Sequence, residues 1–327
     1  MFFKTTFQKS NKMFLVFSMV IFVIAAAAVW ATASFMDDAS PTKASEAFLF
    51  DLEKIQKEVN VVKDLVYSDK EDSLLDIYYP AEGGENLPVI LWIHGGGFVG
   101  GSKDSRQEYG MALAHAGYVV ANIDYALAPE QLYPGPVVQA NEALGYLQLH
   151  AEKYGGDMSR VFIGGDSAGA QISSQVAAVI SNKGLAQDMD IMPAVQPEQL
   201  KGALLFCGLF NMETVRATGF PNIDNFLSAY TGAKPFESFE NIDQLSTVNH
   251  LTPAYPSVFI TVGDADPLAS QSVELAEALE ASNVAVDSMF FIGTEKQLKH
   301  EFQYALDTID GQETLARALD FLFANSN

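Results

Sequence analysis

The chain has 327 residues, 49% of them hydrophobic and 18% charged, with 41 acidic against 19 basic side chains for a formal net charge of −22. Such a composition excludes a disordered chain, and so acidic a surface repels a phosphate backbone, which excludes nucleic acid as a partner. Cys207 is the single cysteine, so no intrachain disulfide forms, and in the apolar run ALLFCG it reads as a small buried hydrophobe.

In chain order, Lys4, Lys9 and Lys12 precede the 18-residue run 13–30, MFLVFSMVIFVIAAAAVW, and Ala31-Thr32-Ala33 follows it. A basic start, an apolar middle and an A-x-A end make residues 1–33 an export signal with Ser34 as the first mature residue. The run also approaches the span of a bilayer, so the alternative is an uncleaved anchor attaching the chain to a membrane through residues 13–30. In either case the basic flank stays cytoplasmic, which puts residues 34–327 outside the cytoplasm, periplasmic, secreted or membrane-anchored.

From there strand-like and helix-like segments alternate without a Pro/Gly/Ser-rich linker, so residues 34–327 read as one domain. Strands are expected at 76–79, 88–93, 118–123, 160–165, 203–208, 258–263 and 288–292, and helices at 105–116, 137–153, 168–181, 269–282 and 312–324. The strands are continuous apolar runs such as PVILWI, which suits an α/β protein with a mostly parallel sheet covered by helices on both faces. In 168–181, Ile172, Val176 and Ile180 recur every fourth residue, so one stripe of that helix is expected to lie against the sheet. Residues 211–251 break the alternation, and Phe220, Phe226, Tyr230, Phe236 and Phe239 lie among loop-forming residues; this excursion reads as a cap or as a surface elaboration with its own small core.

Two motifs carry chemistry. Strand 88–93 opens into HGGGFVGG, His94 to Gly101, a loop able to bare backbone amides toward a developing oxyanion. No G-K-[ST] or G-x-G-x-x-G helix start follows, which argues against a nucleotide phosphate there. The run GDSAG, 165–169, sits directly between a strand and a helix, and its glycines relieve crowding at such a turn so that the Ser167 hydroxyl projects outward. Ser167 is the candidate nucleophile of an acyl-transfer enzyme.

HGGG and GDSAG together, with YALAPE at 125–130 between them, resemble the hormone-sensitive-lipase-like family of α/β-hydrolases over roughly residues 60–325. The resemblance implies the α/β-hydrolase fold and an oxyanion hole built from the amides of Gly96, Gly97 and Ala168, with His94 orienting the loop. It also implies that the cap draws on the N-terminal segment, here 40–60, as well as on 211–251. One departure is Ala126, where the family carries an arginine.

In this fold the triad runs nucleophile, acid, histidine along the chain. His94, His115 and His150 precede Ser167 and His250 precedes the last strands, leaving His300, in a loop between the last strand and the last helix, as the base. After strand 258–263, Asp264 and Asp266 could each accept the histidine's Nδ1–H bond. The resemblance favours Asp266, in its Asp-Pro-Leu position, and leaves Asp264 as a turn carboxylate or helix cap. Glu301 stands where the family commonly has a small residue, and its carboxylate favours a charged imidazole next to it.

These parts imply a serine carboxylic-ester hydrolase acting through an acyl-serine on short- to medium-chain acyl esters or acylated small molecules and glycans. No metal or organic cofactor is required, and no His, Cys and carboxylate group stands at metal-ligand spacing in the sequence. The alternatives are an amidase or peptidase using the same triad, and a non-catalytic binding module on this fold.

Overall fold

The computed structural model describes residues 51–326. The export signal or anchor expected at 1–33, and residues 40–50 of the expected N-terminal cap contribution, therefore lie outside the described residues.

Strands β1 (Val59–Val66), β2 (Leu74–Pro80), β3 (Leu87–Ile93), β4 (Val119–Ile123), β5 (Gly156–Asp166), β6 (Leu200–Phe206), β7 (Ser257–Val262) and β8 (Val286–Phe290) form one sheet, in the order β1-β2-β4-β3-β5-β6-β7-β8. The pairings β1–β2 and β2–β4 are antiparallel, and all pairings from β4 to β8 are parallel. The α/β-hydrolase sheet implied by the motifs is thus the sheet observed.

Why the central strands read as unbroken apolar runs is visible in how they bury. Along β3, Val89, Leu91 and Ile93 join a core on one face, while Ile90 and Trp92 join the core on the other, and none is more than 1% exposed. A strand alternates its side chains between faces, so a strand covered twice must be apolar at every position. The first core takes residues from α3 (Gly135–His150), α4 (Ala168–Ser181), the short α5 (Lys183–Asp188) and α8 (Ala269–Ala281). The second is closed by α1 (Leu52–Glu58), α2 (Gln107–His115) and α9 (Ile309–Asn325).

Three local expectations change. The edge strand β1 escapes the sequence pattern because VNVVKDLV is mostly exposed and carries a register shift between Val62 and Leu65, so its polar residues face water and no buried alternation marks it. For the N-terminal cap contribution, the described part of 40–60 behaves differently: Ile55 of α1 is buried in the core that holds Tyr109 and Met111 of α2, Glu58 pairs with His115 at 2.7 Å, and the chain then enters β1. Helix α4 is buried on every side from Ala168 to Ile180, not along one stripe. The excursion after β6 covers its second side: the Gln171 amide donates to Leu245 O at 3.1 Å, the Ser174 and Thr247 hydroxyls lie 2.7 Å apart, and the Tyr255 hydroxyl donates to Ser174 O.

That excursion holds α6 (Ile223–Thr231), the single turn α7 (Ile242–Leu245) and 3₁₀ turns, with Val215, Leu227, Tyr230, Phe236 and Leu245 buried. Tyr230 stacks on Phe98 of the HGGGFVGG loop, centroids 3.9 Å apart, and Tyr133 packs edge-on against Tyr230 and Phe239. Its small core is therefore continuous with the loop that carries the candidate oxyanion glycines.

Phe206, at the end of β6, is fully buried and meets Trp92, Tyr109 and Phe259 edge-on. Phe206→Ala is expected to lower the unfolding free energy by about 3–5 kcal/mol through lost transfer energy and an unfilled cavity, read as a drop in the urea midpoint at unchanged slope.

Candidate active site

The parallel strands bring their C-terminal ends to one edge of the sheet, where the loops carrying the motifs meet. Strand β5 ends at Asp166, α4 begins at Ala168, and Ser167 alone makes the turn with φ 51° and ψ −118°. A positive φ costs a non-glycine residue of order 1–3 kcal/mol. The turn persists because its flanks have no side chains: a Cβ at Gly165 would lie 2.3 Å from Ile93 O, and one at Gly169 would lie 2.1 Å from the same oxygen. Ser167 is held further by its backbone, its N–H donating to Phe206 O and its carbonyl accepting from Gln171 N–H. As the N-cap of α4 it is followed by Ala168, whose amide belongs to the helix's first turn, where intrahelical partners are lacking.

The close approach of Gly169 to Ile93 and His94 sets the HGGG loop directly against this elbow. Gly96 has φ 117°, and a Cβ there would strike Gly100 O at 2.1 Å, so the loop folds on itself in a form open only to glycine. His94 is 2% exposed, stacks on Tyr125 at 4.4 Å and has Nδ1 2.6 Å from Gly95 O, while the Tyr125 hydroxyl donates to His94 O. Burial pushes its pKa below the ordinary imidazole value, as suits a neutral structural ring. At the departing position of the middle motif, the Ala126 amide donates to Gln139 Oε1, which anchors that segment by the backbone.

Of the two carboxylates after β7, Asp266 is the one that meets the histidine. Its Oδ2 lies 2.8 Å from His300 Nδ1, its side chain is fully buried, and its Oδ1 accepts from Leu268 N–H. Asp264 instead accepts from the amides of Gln297 and Leu298 and shapes the loop leading to His300. Burial disfavours the charged imidazole, but the hydrogen bond and charge of the Asp266 carboxylate favour it, and the His300 pKa stands above its ordinary value.

Cys207 is a neighbour the sequence did not mark. It is buried at the end of β6 with φ 42°, and its sulfur, an Asp266 oxygen and a His300 nitrogen all lie within 4.8 Å of one another. Burial raises its pKa, which keeps the thiol protonated. Since Ser167 N–H bonds to the carbonyl of the preceding residue, Phe206, this thiol links the elbow's surroundings to the Asp266–His300 pair.

Also unmarked was a charged cluster behind the elbow. The Asp166 side chain is fully buried and accepts from Gly95 N–H, from Arg106 Nε and Nη2 at 2.9 and 2.7 Å, and from the Tyr304 hydroxyl at 2.7 Å. Burial alone would raise the Asp166 pKa, but the guanidinium prevails and lowers it. Residues so distant in sequence carry no local pattern that would reveal them.

Two aromatics of the excursion reach the same place. Phe220 packs edge-on to the His300 ring at 4.9 Å, and the Phe226 ring lies where a Cβ on Gly97 would come within 2.9 Å. The excursion thus supplies apolar walls at His300 and at the HGGG loop.

Comparison with known proteins bears on this arrangement. Residues 75–279 match the family model BD-FAE. The chain belongs to the BD-FAE family. The matched segment holds Ser167 and Asp266 and ends before His300. Among curated proteins, the chain is similar to the carboxylesterase NlhH of Mycobacterium tuberculosis, 29% identical over 77% of this chain and 78% of that one. It is also similar to an acetyl esterase of Salmonella choleraesuis, 26% identical over 65% of each chain. Among solved structures, esterase B of Lactobacillus rhamnosis superposes with a TM-score of 0.75 at 21% identity, over 93% of this chain and 96% of that one. A bacterial heroin esterase gives 0.68 at 24% identity, over 91% and 90%. This BD-FAE member has the α/β-hydrolase fold and is an ester-hydrolysing enzyme.

Gly169→Ala forces a methyl group onto Ile93 O. Its expected outcome is loss of nearly all esterase activity, with either an unfolded product or a folded one whose elbow has shifted; circular dichroism and turnover of p-nitrophenyl acetate read the two properties.

Proposed function

We propose that the protein is a serine carboxylic-ester hydrolase that forms an acyl-serine on Ser167, with His300 as base, Asp266 as its orienting acid, and Gly96, Gly97 and Ala168 as oxyanion donors. The observation that carries the reading is the contact of His300 Nδ1 with the buried Asp266 carboxylate at 2.8 Å, in a site whose loops converge on the Ser167 turn. With Nδ1 engaged by the carboxylate, the imidazole presents Nε2 to take the Ser167 proton as the hydroxyl attacks the ester carbonyl. The carbonyl oxygen becomes an oxyanion, for which amides fixed by the Gly96 conformation and by the start of α4 are pre-aimed. Collapse expels the alcohol with the proton returned from His300, and water, activated by the same base, releases the acid.

The aromatic walls favour short to medium acyl groups or acylated small molecules. Phe220 stands at the histidine and Phe226 at Gly97, so the approach to the carbonyl is bounded by rings on two sides. Export follows from residues 1–33, with residues 13–30 either removed or kept as a membrane anchor; soluble protein beginning at Ser34 would exclude the anchor.

The decisive test compares wild type with Ser167→Ala on p-nitrophenyl esters from acetate to palmitate and on an anilide. Ester turnover lowered by about three orders of magnitude or more in the variant is expected, with the best chain length reporting pocket depth. Anilide cleavage as fast as ester cleavage would make the enzyme an amidase, and ester turnover retained by the folded variant would overturn the serine mechanism.

The pH profile has a definite sign. The base must be neutral, and its pKa is raised above the ordinary ~6.5. The acid limb of kcat/KM is therefore expected above about pH 6.5, with activity falling as pH drops through it; a limb at or below that value would contradict this account of the Asp266–His300 pair.

A further inference from the structure

Glu301 follows His300 directly, in a left-handed conformation with φ 62°, and its Oε1 lies 3.9 Å from His300 Nε2. That nitrogen is the one the proposed mechanism needs free. A carboxylate that closed to hydrogen-bond distance of this nitrogen would hold the protonated ring and compete for the proton the ring should deliver. Here Oε1 stops short of a hydrogen bond to Nε2 at 3.9 Å, while Oε2 accepts from Arg106 Nη2 at 2.7 Å.

Arg106 is itself fixed. Its side chain is 14% exposed, its Nε and Nη2 grip the buried Asp166 carboxylate, and its guanidinium lies 4.1 Å from the centre of the Tyr304 ring. The same nitrogen, Nη2, thus joins the residue before Ser167 to the residue after His300. Only a planar guanidinium with several donors in fixed directions can hold both carboxylates in this way; a lysine offers a single point charge.

We propose that Arg106 is a positioning residue that holds the Glu301 carboxylate away from His300 Nε2, keeping the base free while fixing the histidine loop to the nucleophile elbow. This rests on the reading of His300 as the general base. The titratable and charged groups facing His300 are Asp266 from the loop after β7, Cys207 from the end of β6, and Glu301 from its own loop; those facing Glu301 are Arg106, Asp166 and His300. Asp266 and Cys207 are untouched by the test, so a change in pH dependence between variants reports Glu301.

The test measures kcat, KM and the pH profile of kcat/KM on p-nitrophenyl acetate for full-length wild type, Arg106→Lys, Glu301→Gln, the double variant and Ser167→Ala. In Arg106→Lys the released carboxylate stabilises the imidazolium. The acid limb is then expected to move up by about one pH unit and kcat to fall about tenfold, with KM little changed. Adding Glu301→Gln to Arg106→Lys should return the limb to within a few tenths of a unit of wild type and recover most of kcat. A merely structural pairing predicts the opposite, since removing a second member of a cluster would not repair it. An unmoved limb in Arg106→Lys, or a limb that stays high in the double variant, overturns the proposal. If Arg106→Lys does not fold, Glu301→Gln alone decides. A limb within a few tenths of wild type is expected, because Arg106 already holds the carboxylate, and a fall of about one unit or more overturns the proposal. Persisting activity in Ser167→Ala defeats the serine-hydrolase reading and the proposal with it, whereas failed limb shifts beside an inactive Ser167→Ala defeat the role of Arg106 alone.

Discussion

The site depends on how closely helix α4 and strand β3 approach at the elbow. Ser167 can occupy the left-handed region only while β5 runs straight into α4, and that requires Gly165 and Gly169 to lie against Ile93 O with no room for a methyl group. The local strain, of order 1–3 kcal/mol, is offset by burial on both faces of the central strands and around the whole of α4. The same approach delivers the HGGG loop, since the residues that crowd Gly169 are the last of β3 and the first of that loop. The Ser167 turn and the HGGG loop therefore share one steric condition.

A charge set in the interior completes the elbow. Asp166 loses its hydration entirely, and an isolated buried carboxylate would be untenable. Two bonds from Arg106, one from Tyr304 and one from the Gly95 amide replace the lost water. Each donor comes from a different part of the site: the HGGG loop, the turn leading into α2, and the loop after His300. The carboxylate thus acts as a common anchor, and its value lies in fixing relative positions more than in net stability, which a buried ion pair does not guarantee.

How far the sequence disclosed this depends on the range of each interaction. The central strands, the elbow, the glycine loop and helices such as 168–181 are set by neighbours within a few residues or by an environment uniform enough to impose an apolar run, so they were legible. The choice between Asp264 and Asp266 lay open to the residues alone, because both follow the same strand; the family resemblance chose Asp266, and the geometry separates them, one meeting His300 and the other the amides of Gln297 and Leu298. Strand β1 was hidden because an exposed edge relaxes the demand for apolar residues. Arg106, Tyr304 and Cys207 were hidden because their roles arise from contacts with residues far along the chain, and a lone arginine in KDSRQE looks like any solvated charge.

The histidine loop is the part of the site with the least support of its own. It follows the edge strand β8, has no regular structure before the short turn at Phe302–Tyr304, and lies beyond the segment matched by the family model. Its position is set from outside: Asp264 holds the amides before His300, Asp266 holds the ring, Phe220 packs its edge, and Arg106 holds Glu301 after it. Ser167, by contrast, sits between the half of β5 buried from Val161 to Asp166 and a helix buried from Ala168 to Ile180. A perturbation that loosens the surface loops would therefore displace His300 before it disturbs Ser167, since local opening follows the density of buried contacts. On this argument the unusual carboxylate at Glu301 adds an attachment point to the loop that most needs one. The hazard it brings to Nε2 is contained as long as the same arginine that neutralises Asp166 also holds Glu301.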